Sequence, residues 1–253
     1  MIKKLLFISA LLFILTSCED EKTPEISSNT LALLERSKNS KDKASSVLEN
    51  IKQRNDFGAA RKNRQDFLDE IANEDFVDIK KLSTYFIIQM PYATTDNFLD
   101  EKVYPCEQCL VRGDVAKSLL QVQKKLMKKG FRLKIFDCYR PLSIQEKMWN
   151  LKPDTSYVAN PDKGSNHNRG AAVDLTLTNL QGKELKMGTS FDNFTEKAHH
   201  DYENLSDEVV RNRKLLKMTM ENAGFSSFDS EWWHYDFKNN TSHPIADFVW
   251  TCK

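Results

Sequence analysis

Apolar and polar positions divide the chain into three textures. Residues 5–17, LLFISALLFILTS, form a short apolar run behind a basic start, Met1-Ile2-Lys3-Lys4. Residues 19–75 are polar and charged, with Leu31, Leu33, Leu34, Leu48 and Ile51 scattered at near-helical spacing. That pattern predicts weakly amphipathic helices or a disordered tether, not a second domain. From Phe76 onward the pattern becomes that of a packed body. An apolar, β-rich run from Tyr85 to Met90 ends at Pro91, and Val115, Leu119, Leu120, Val122 and Leu126 recur with a helical period. They predict a helix over Val115–Lys129, stopped by Gly130. Residues 131–139, FRLKIFDCY, alternate like a half-buried strand. Pro141 suits the first turn of a helix through PLSIQEKMWN. Beyond a loop rich in Gly, Asn and Pro over 160–170, a strand is expected at Ala171–Thr178, a helix at Asp207–Ala223 before Gly224, and an aromatic strand at Glu231–Phe237. Helices and strands are mixed without strict βαβ alternation, so the fold class expected is α+β, with a small, mostly antiparallel sheet flanked by helices.

Composition narrows the picture. The 253 residues are 40% hydrophobic and 29% charged, with a formal net charge of +1. A nucleic-acid binder would carry a strongly basic field, and this chain carries none. No apolar span reaches the 18 residues that identify a transmembrane helix. The basic start and the apolar run have the proportions of a signal peptide, and Leu15-Thr16-Ser17-Cys18 resembles the lipobox of bacterial lipoproteins, whose cysteine is lipidated and becomes the new N-terminus. The acidic Glu19-Asp20-Glu21 that follows resembles the export tag of some surface lipoproteins of Gram-negative bacteria. The expected organisation is a signal peptide over 1–18, a tether over 19–75 and a packed domain over 76–253, lipid-anchored in the cell envelope. Cys106, Cys109, Cys138 and Cys252 would then lie in a disulfide-permissive compartment, and three pairings are open to them.

Candidate chemistry sits in two places. Residues 165–177, SNHNRGAAVDLTL, set Asp174 inside an apolar run seven residues after His167. A buried carboxylate is costly unless paired or metal-bound. Seven is an odd spacing, so the two side chains meet only if the chain turns between them, as Asn168-Arg169-Gly170 allows. The second place is EWWHYDF, with Glu231 three residues before His234. We place Glu231 on the loop entering the strand and His234 on the strand. His167, Asp174 and His234 then make a three-ligand zinc site with an open position, the pattern of catalytic zinc, and Glu231 beside it is the general base. His199 and His200, in a charged segment, are expected at the solvated rim, His243 in a turn, and Trp232, Trp233, Tyr235 and Phe237 in core and pocket wall.

These residues carry a resemblance. Ser165-Asn166-His167-Asn168-Arg169-Gly170-Ala171-Ala172-Val173-Asp174 and Glu231-Trp232-Trp233-His234 resemble the two zinc motifs of a family of bacterial cell-wall peptidases. That family includes D,D-carboxypeptidases, L-alanyl-D-glutamate endopeptidases and D-alanyl-D-alanine dipeptidases of the VanX type. Tyr92–Phe98, Tyr139-Arg140-Pro141 and Met187–Asp192 resemble the dipeptidase branch. The resemblance covers about residues 76–240 and implies the zinc D,D-peptidase (hedgehog-like) fold with one zinc per chain. It implies that His167, Asp174 and His234 bind the metal, that Glu231 is the base, and that Arg140 stabilises the oxyanion. Asp192 becomes a candidate anchor for the substrate's ammonium, and Ser165 either contacts the substrate carboxylate or caps its loop. The expected activity is hydrolysis of D-Ala-D-Ala or a related D,D-dipeptide by metal-activated water during cell-wall peptide turnover. The partners expected are a small dipeptide and, through lipid on Cys18, a membrane, with neither nucleic acid nor an obligate protein partner. A stem-peptide carboxypeptidase or endopeptidase, and a non-catalytic binding lipoprotein, are the alternatives.

Overall fold

A computed structural model of the chain describes residues 65–252 together with Lys38, Ser45, Ser46 and Glu49. The basic start, the apolar run and Cys18 lie outside the described residues, as does most of the expected tether. Contacts divide the chain into two units, residues 1–63 and 64–253, and everything below concerns the second. Its start precedes Phe76, because Leu68 and Ile71 are buried in its core. Among the described residues, no helix is long and apolar enough to cross a membrane.

The core is a five-stranded sheet in the order β2-β4-β5-β7-β6. The strands are β2 (Ile87–Ile88), β4 (Phe131–Asp137), β5 (Ala172–Asn179), β6 (Phe225–Phe228) and β7 (Glu231–Phe237). Only β2 pairs in parallel, with β4; the other three pairings are antiparallel. A separate ribbon joins β1 (Phe76–Asp78) to β3 (Leu110–Arg112). Besides helical residues 65–70, the described part of the body holds the helices α1 (Ile79–Leu82), α2 (Gly113–Met127), α3 (Leu142–Leu151) and α4 (Asp207–Glu221). The fold class is α+β.

Each element follows from local chemistry. In α2, Val115, Leu119, Val122 and Leu126 are fully buried along one face, the stripe that a half-exposed helix packs on a sheet. The helix begins two residues earlier than its apolar period indicates, at Gly113, where a Cβ would stand 2.0 Å from the carbonyl oxygen of Ala72. Only glycine admits that approach. Ser206 caps α4, its hydroxyl accepting from the Val209 amide at 3.5 Å, and Asp207 and Glu208 place negative charge at the positive end of the helix dipole. The run from Tyr85 to Met90 contributes only two strand residues before Pro91 opens a 3₁₀ turn.

β4 and β5 are more buried than an alternating strand. All of β5 but its last residue is buried, and β4 is buried from Leu133 on, because the sheet is covered on both faces. The one lysine so enclosed, Lys134, pairs with Glu184.

Two disulfides select one pairing from the three: Cys106–Cys252 and Cys109–Cys138. The first pins a C-terminal segment across the body. There Phe248 stacks on Tyr139 with centroids 4.7 Å apart, and Trp250 lies 5.1 Å from Tyr104.

Candidate metal centre and active site

Strand register brings the acidic and basic groups into one row. Asp174 on β5 faces His234 on β7 directly, and a bulge between Ile135 and Asp137 sets Asp137 opposite Asp174 on its other side. His167 comes from a 3₁₀ turn, His167–Arg169, that ends at Gly170 with φ of 69°. At Gly170 a Cβ would also meet the Phe76 ring at 2.5 Å. The turn folds His167 back over the row, which resolves the odd spacing to Asp174.

Three ligand atoms converge. His167 Nε2 is 3.3 Å from His234 Nδ1 and 3.5 Å from Asp174 Oδ2, and His234 Nδ1 is 2.9 Å from Asp174 Oδ1. Ligands bound to a tetrahedral zinc at ordinary bond lengths stand about 3.3–3.5 Å from one another, so the spacing fits that ion with little movement. The outer ring nitrogens settle the tautomers. His167 Nδ1 lies 2.7 Å from the carbonyl oxygen of Cys138, an atom that only accepts, so Nδ1 carries the proton and Nε2 offers its lone pair inward. His234 Nε2 lies 3.1 Å from Asp236 Oδ1, a carboxylate that would keep a proton on Nε2 and free Nδ1 for a metal. Both imidazoles are held as zinc-binding histidines usually are, the far N–H on a carbonyl or carboxylate. Burial pushes the Asp174 carboxyl up, but His167 and His234 beside it outweigh burial and hold it low. Burial lowers the proton affinity of His234, and hydrogen bonds to Asp174 and Asp236 raise it well above the ordinary imidazole value. This much concentrated negative charge suits a dication.

A cavity of about 370 Å³ opens over the row. Glu231 stands on its wall as the first residue of β7, not on the preceding loop. The register shifts between the Ser227–Tyr235 and Phe228–Glu231 pairs. That bulge breaks the two-residue alternation and lets Glu231 and His234 face the same cavity despite their odd spacing. Burial raises the Glu231 pKa, with His234 opposing.

Arg140 lines the cavity but is no free cation. Its Nη2 meets Asp137 Oδ2 at 2.5 Å, its Nη1 donates to Gln145 Oε1 at 2.9 Å, and its Nε lies 3.4 Å from the Tyr104 hydroxyl. Burial lowers its proton affinity, but Asp137 more than restores it. Asp192 occupies the left-handed region at φ 56°, uncommon outside glycine. Its carboxylate accepts from the Tyr92 hydroxyl at 3.0 Å, and burial followed by the nearness of Asp174 pushes it well up. Ser165 Oγ accepts the His167 amide at 3.2 Å, so it caps the ligand loop while lining the cavity.

His199 and His200 lie outside this cavity, and His200 lines a different groove beside α4. His243 is buried, its Nε2 3.0 Å from Asp114, so it is a packed partner and not a simple turn residue. Sequence reasoning overlooked Asp137 and Asp236, and named Tyr92 only as part of a motif, without a role. Asp236 carried a signal, since two residues on from a strand ligand is the same face. Asp137 is brought into the row by a bulge, which has no local signature.

Two imidazoles and a carboxylate at zinc-ligand spacing, with a half-buried glutamate on the same cavity wall, define a zinc metallopeptidase. The family is equally plain. The peptidase M15 model, D-ala-D-ala dipeptidase, matches residues 72–249, and the chain belongs to that family. It is 34% identical over 178 residues to the D-alanyl-D-alanine dipeptidase of Escherichia coli (strain K12), a match spanning 70% of this chain and 92% of that one. Against the D-alanyl-D-alanine dipeptidase of Enterococcus faecium it is 35% identical over 208 residues, 74% of this chain and 97% of the relative. The protein of the same name from Streptomyces coelicolor is 31% identical over 198 residues, covering 69% and 96%.

Proposed function

We propose that this enzyme hydrolyses D-Ala-D-Ala or a related D,D-dipeptide in cell-wall peptide turnover, on the zinc D,D-peptidase fold, with His167, Asp174 and His234 holding one zinc. The observation that carries the reading is Glu231, a half-buried carboxylate of raised pKa facing the same cavity as the three converging candidate ligands. Zinc, when bound, supplies Lewis-acid polarisation of the scissile carbonyl and acidifies the attacking water. Glu231 takes a proton from that water as the C–O bond forms and returns it to the amine nitrogen as the C–N bond breaks. The Arg140 N–H groups not spent on Asp137 and Gln145 face the oxyanion, where preorganised charge has most effect. Asp192 and Tyr92 hold the substrate's ammonium, whose charge reverses the upward bias on the Asp192 carboxyl. Ser165 keeps the His167 loop closed.

The reading includes a lipid anchor. Residues 1–18 act as a lipoprotein signal, Cys18 is lipidated, the residues from 19 to about 63 tether the catalytic unit that follows, and the protein works in the cell envelope of a Gram-negative bacterium. The basic and apolar start supports this, and so do two disulfides, which persist in oxidising compartments. A Cys18→Ala protein should leave the membrane fraction.

The activity is tested with zinc-loaded full-length protein in detergent, on D-Ala-D-Ala and its N-acetyl form, beside Glu231→Gln. Cleavage of the free dipeptide is expected, falling about 10²–10⁴-fold in the variant, with the acetylated form untouched. Cleavage of acetylated or stem peptides alone would make the protein a carboxypeptidase or endopeptidase. Zinc binding without turnover on any of them would make it a binding lipoprotein.

A further inference from the structure

A dipeptide with a free ammonium also carries a free carboxylate at its other end. Enclosing that carboxylate without a compensating cation is costly. On the proposed reading Asp192 and the zinc ligands fix one end and the middle of the substrate, so the remaining charge must meet another group that lines the cavity.

Among the described residues, three cationic side chains line the cavity besides its histidines: Arg140, Lys163 and Arg169. Arg140 is neutralised by Asp137 and tied to Gln145. Arg169 is turned toward the C-terminal segment, its Nη1 donating to the carbonyl oxygen of His243 at 2.7 Å. Lys163 is exposed, and among the described residues its ammonium has neither an ion pair nor a hydrogen bond. Its backbone is well fixed all the same. The Lys163 amide donates to the carbonyl of Asn160 at 3.1 Å, the Gly164 amide to Pro161 at 3.0 Å, and the Asp162 amide to the Asn160 side chain at 2.9 Å. This turn runs through Gly164, at φ 69°, into Ser165 and His167. A flexible cation is thus mounted on a fixed turn, four residues from a metal ligand, with no partner of its own.

We propose that Lys163 binds the C-terminal carboxylate of the substrate and so selects zwitterionic dipeptides with both termini free. The inference rests on the dipeptidase reading and assigns its second charge contact. The Arg140 N–H groups not spent on Asp137 and Gln145 still serve the oxyanion.

The test compares D-Ala-D-Ala with D-alanyl-D-alaninamide, which lacks the carboxylate, on zinc-loaded full-length wild type, Lys163→Met, Lys163→Arg and Arg169→Gln. A hydrogen bond to a charged group is worth at least a factor of about ten. The acid-to-amide ratio of kcat/KM should therefore fall about tenfold in Lys163→Met, through KM for the acid, and recover largely in Lys163→Arg. An unchanged ratio in Lys163→Met overturns the inference. Equal losses on both substrates overturn it as well, since they mark a structural role for the turn. A ratio that collapses in Arg169→Gln instead assigns the contact to Arg169. Wild type that cleaves neither compound would sink the dipeptidase reading itself, an outcome distinct from all three.

Discussion

The two histidines of the proposed metal site sit in regions built on different principles. His234 is placed by register: β5 and β7 are adjacent antiparallel strands, and their pairing alone sets Asp174 opposite His234. His167 is placed by a loop that other segments hold from outside. Its carbonyl accepts the Arg140 amide at 3.1 Å, and its ring is aimed by the carbonyl of Cys138. Asn168, the next residue, donates from its side chain to the Arg140 carbonyl at 2.8 Å and receives the Ala246 amide on its own carbonyl at 2.9 Å. Arg112 donates to the carbonyl of Arg169 at 2.8 Å. Both disulfides bear on this loop side, Cys109–Cys138 directly beneath His167 and Cys106–Cys252 at the end of the segment that carries Ala246. A ladder holds a ligand through contacts shared with the whole sheet, whereas a loop needs separate ties.

Removing a strand ligand should have the largest effect. Asp174→Ala deletes the group that both histidines face. Loss of metal activation is worth several kcal/mol, at 1.36 kcal/mol per factor of ten, so turnover should fall by about a thousandfold or more. Zinc content, read by elemental analysis, should drop well below one per chain while the fold persists. Full zinc occupancy would mean that the strand side is dispensable.

The loop side is broken by its clasp. Replacing Cys106 and Cys252 with serine opens a bridge across a separation of 146 residues. Such a loss typically costs about 2–5 kcal/mol, visible in chemical denaturation. If the tail supports His167, zinc affinity should weaken together with stability. Weakened stability at unchanged zinc affinity would show that the loop holds without its strap.

Asp236→Ala makes the reciprocal cut on the strand side, removing the carboxylate that orients His234. Outer partners of this type contribute about 10–100-fold in metal affinity, measurable by competition with a chelator. No change would show that register alone aims the ring.

The smallest effect separates acid sensitivity from both regions. Burial, helped by Lys217 and Arg213, lowers His200 from its ordinary 6.5 to about 4. Between those values the unfolded chain binds more protons than the folded one. Stability should therefore decline as pH falls from about 6.5 toward 4, and this contribution should level off below. His200→Gln should flatten that decline in urea titrations at each pH. A decline that survives the substitution would locate acid sensitivity in the metal-site carboxylates and histidines instead.

Much of this was legible in the chain because its physics is local. The stripe of Val115, Leu119, Val122 and Leu126 needs only a helical period to be seen, and the aromatic run through Phe237 forms the strand its composition indicates, with Glu231 added at its start. His167, Asp174, Glu231 and His234 stood out as polar residues where burial or turn chemistry made them costly or conspicuous. Less visible were β3 and β6, which are short and pair only with partners distant in sequence or across a tight turn. Arg140 read alone resembles a surface cation. Its burial against Asp137 depends on the two being three residues apart at the end of a strand that both faces of the molecule cover.

By itself, then, the amino-acid sequence singled out the side chains of metal-ligand and acid–base type that meet at one cavity and the segments that become helix or strand, since charge, ligand type and periodicity belong to residues and short windows. Only the tertiary structure decided that a bulge turns Glu231 toward His234, that another brings Asp137 beside Asp174, which cysteines pair, and which ring nitrogens point inward. Each of those outcomes depends on register or contact between segments far apart in the chain, and no local pattern encodes it.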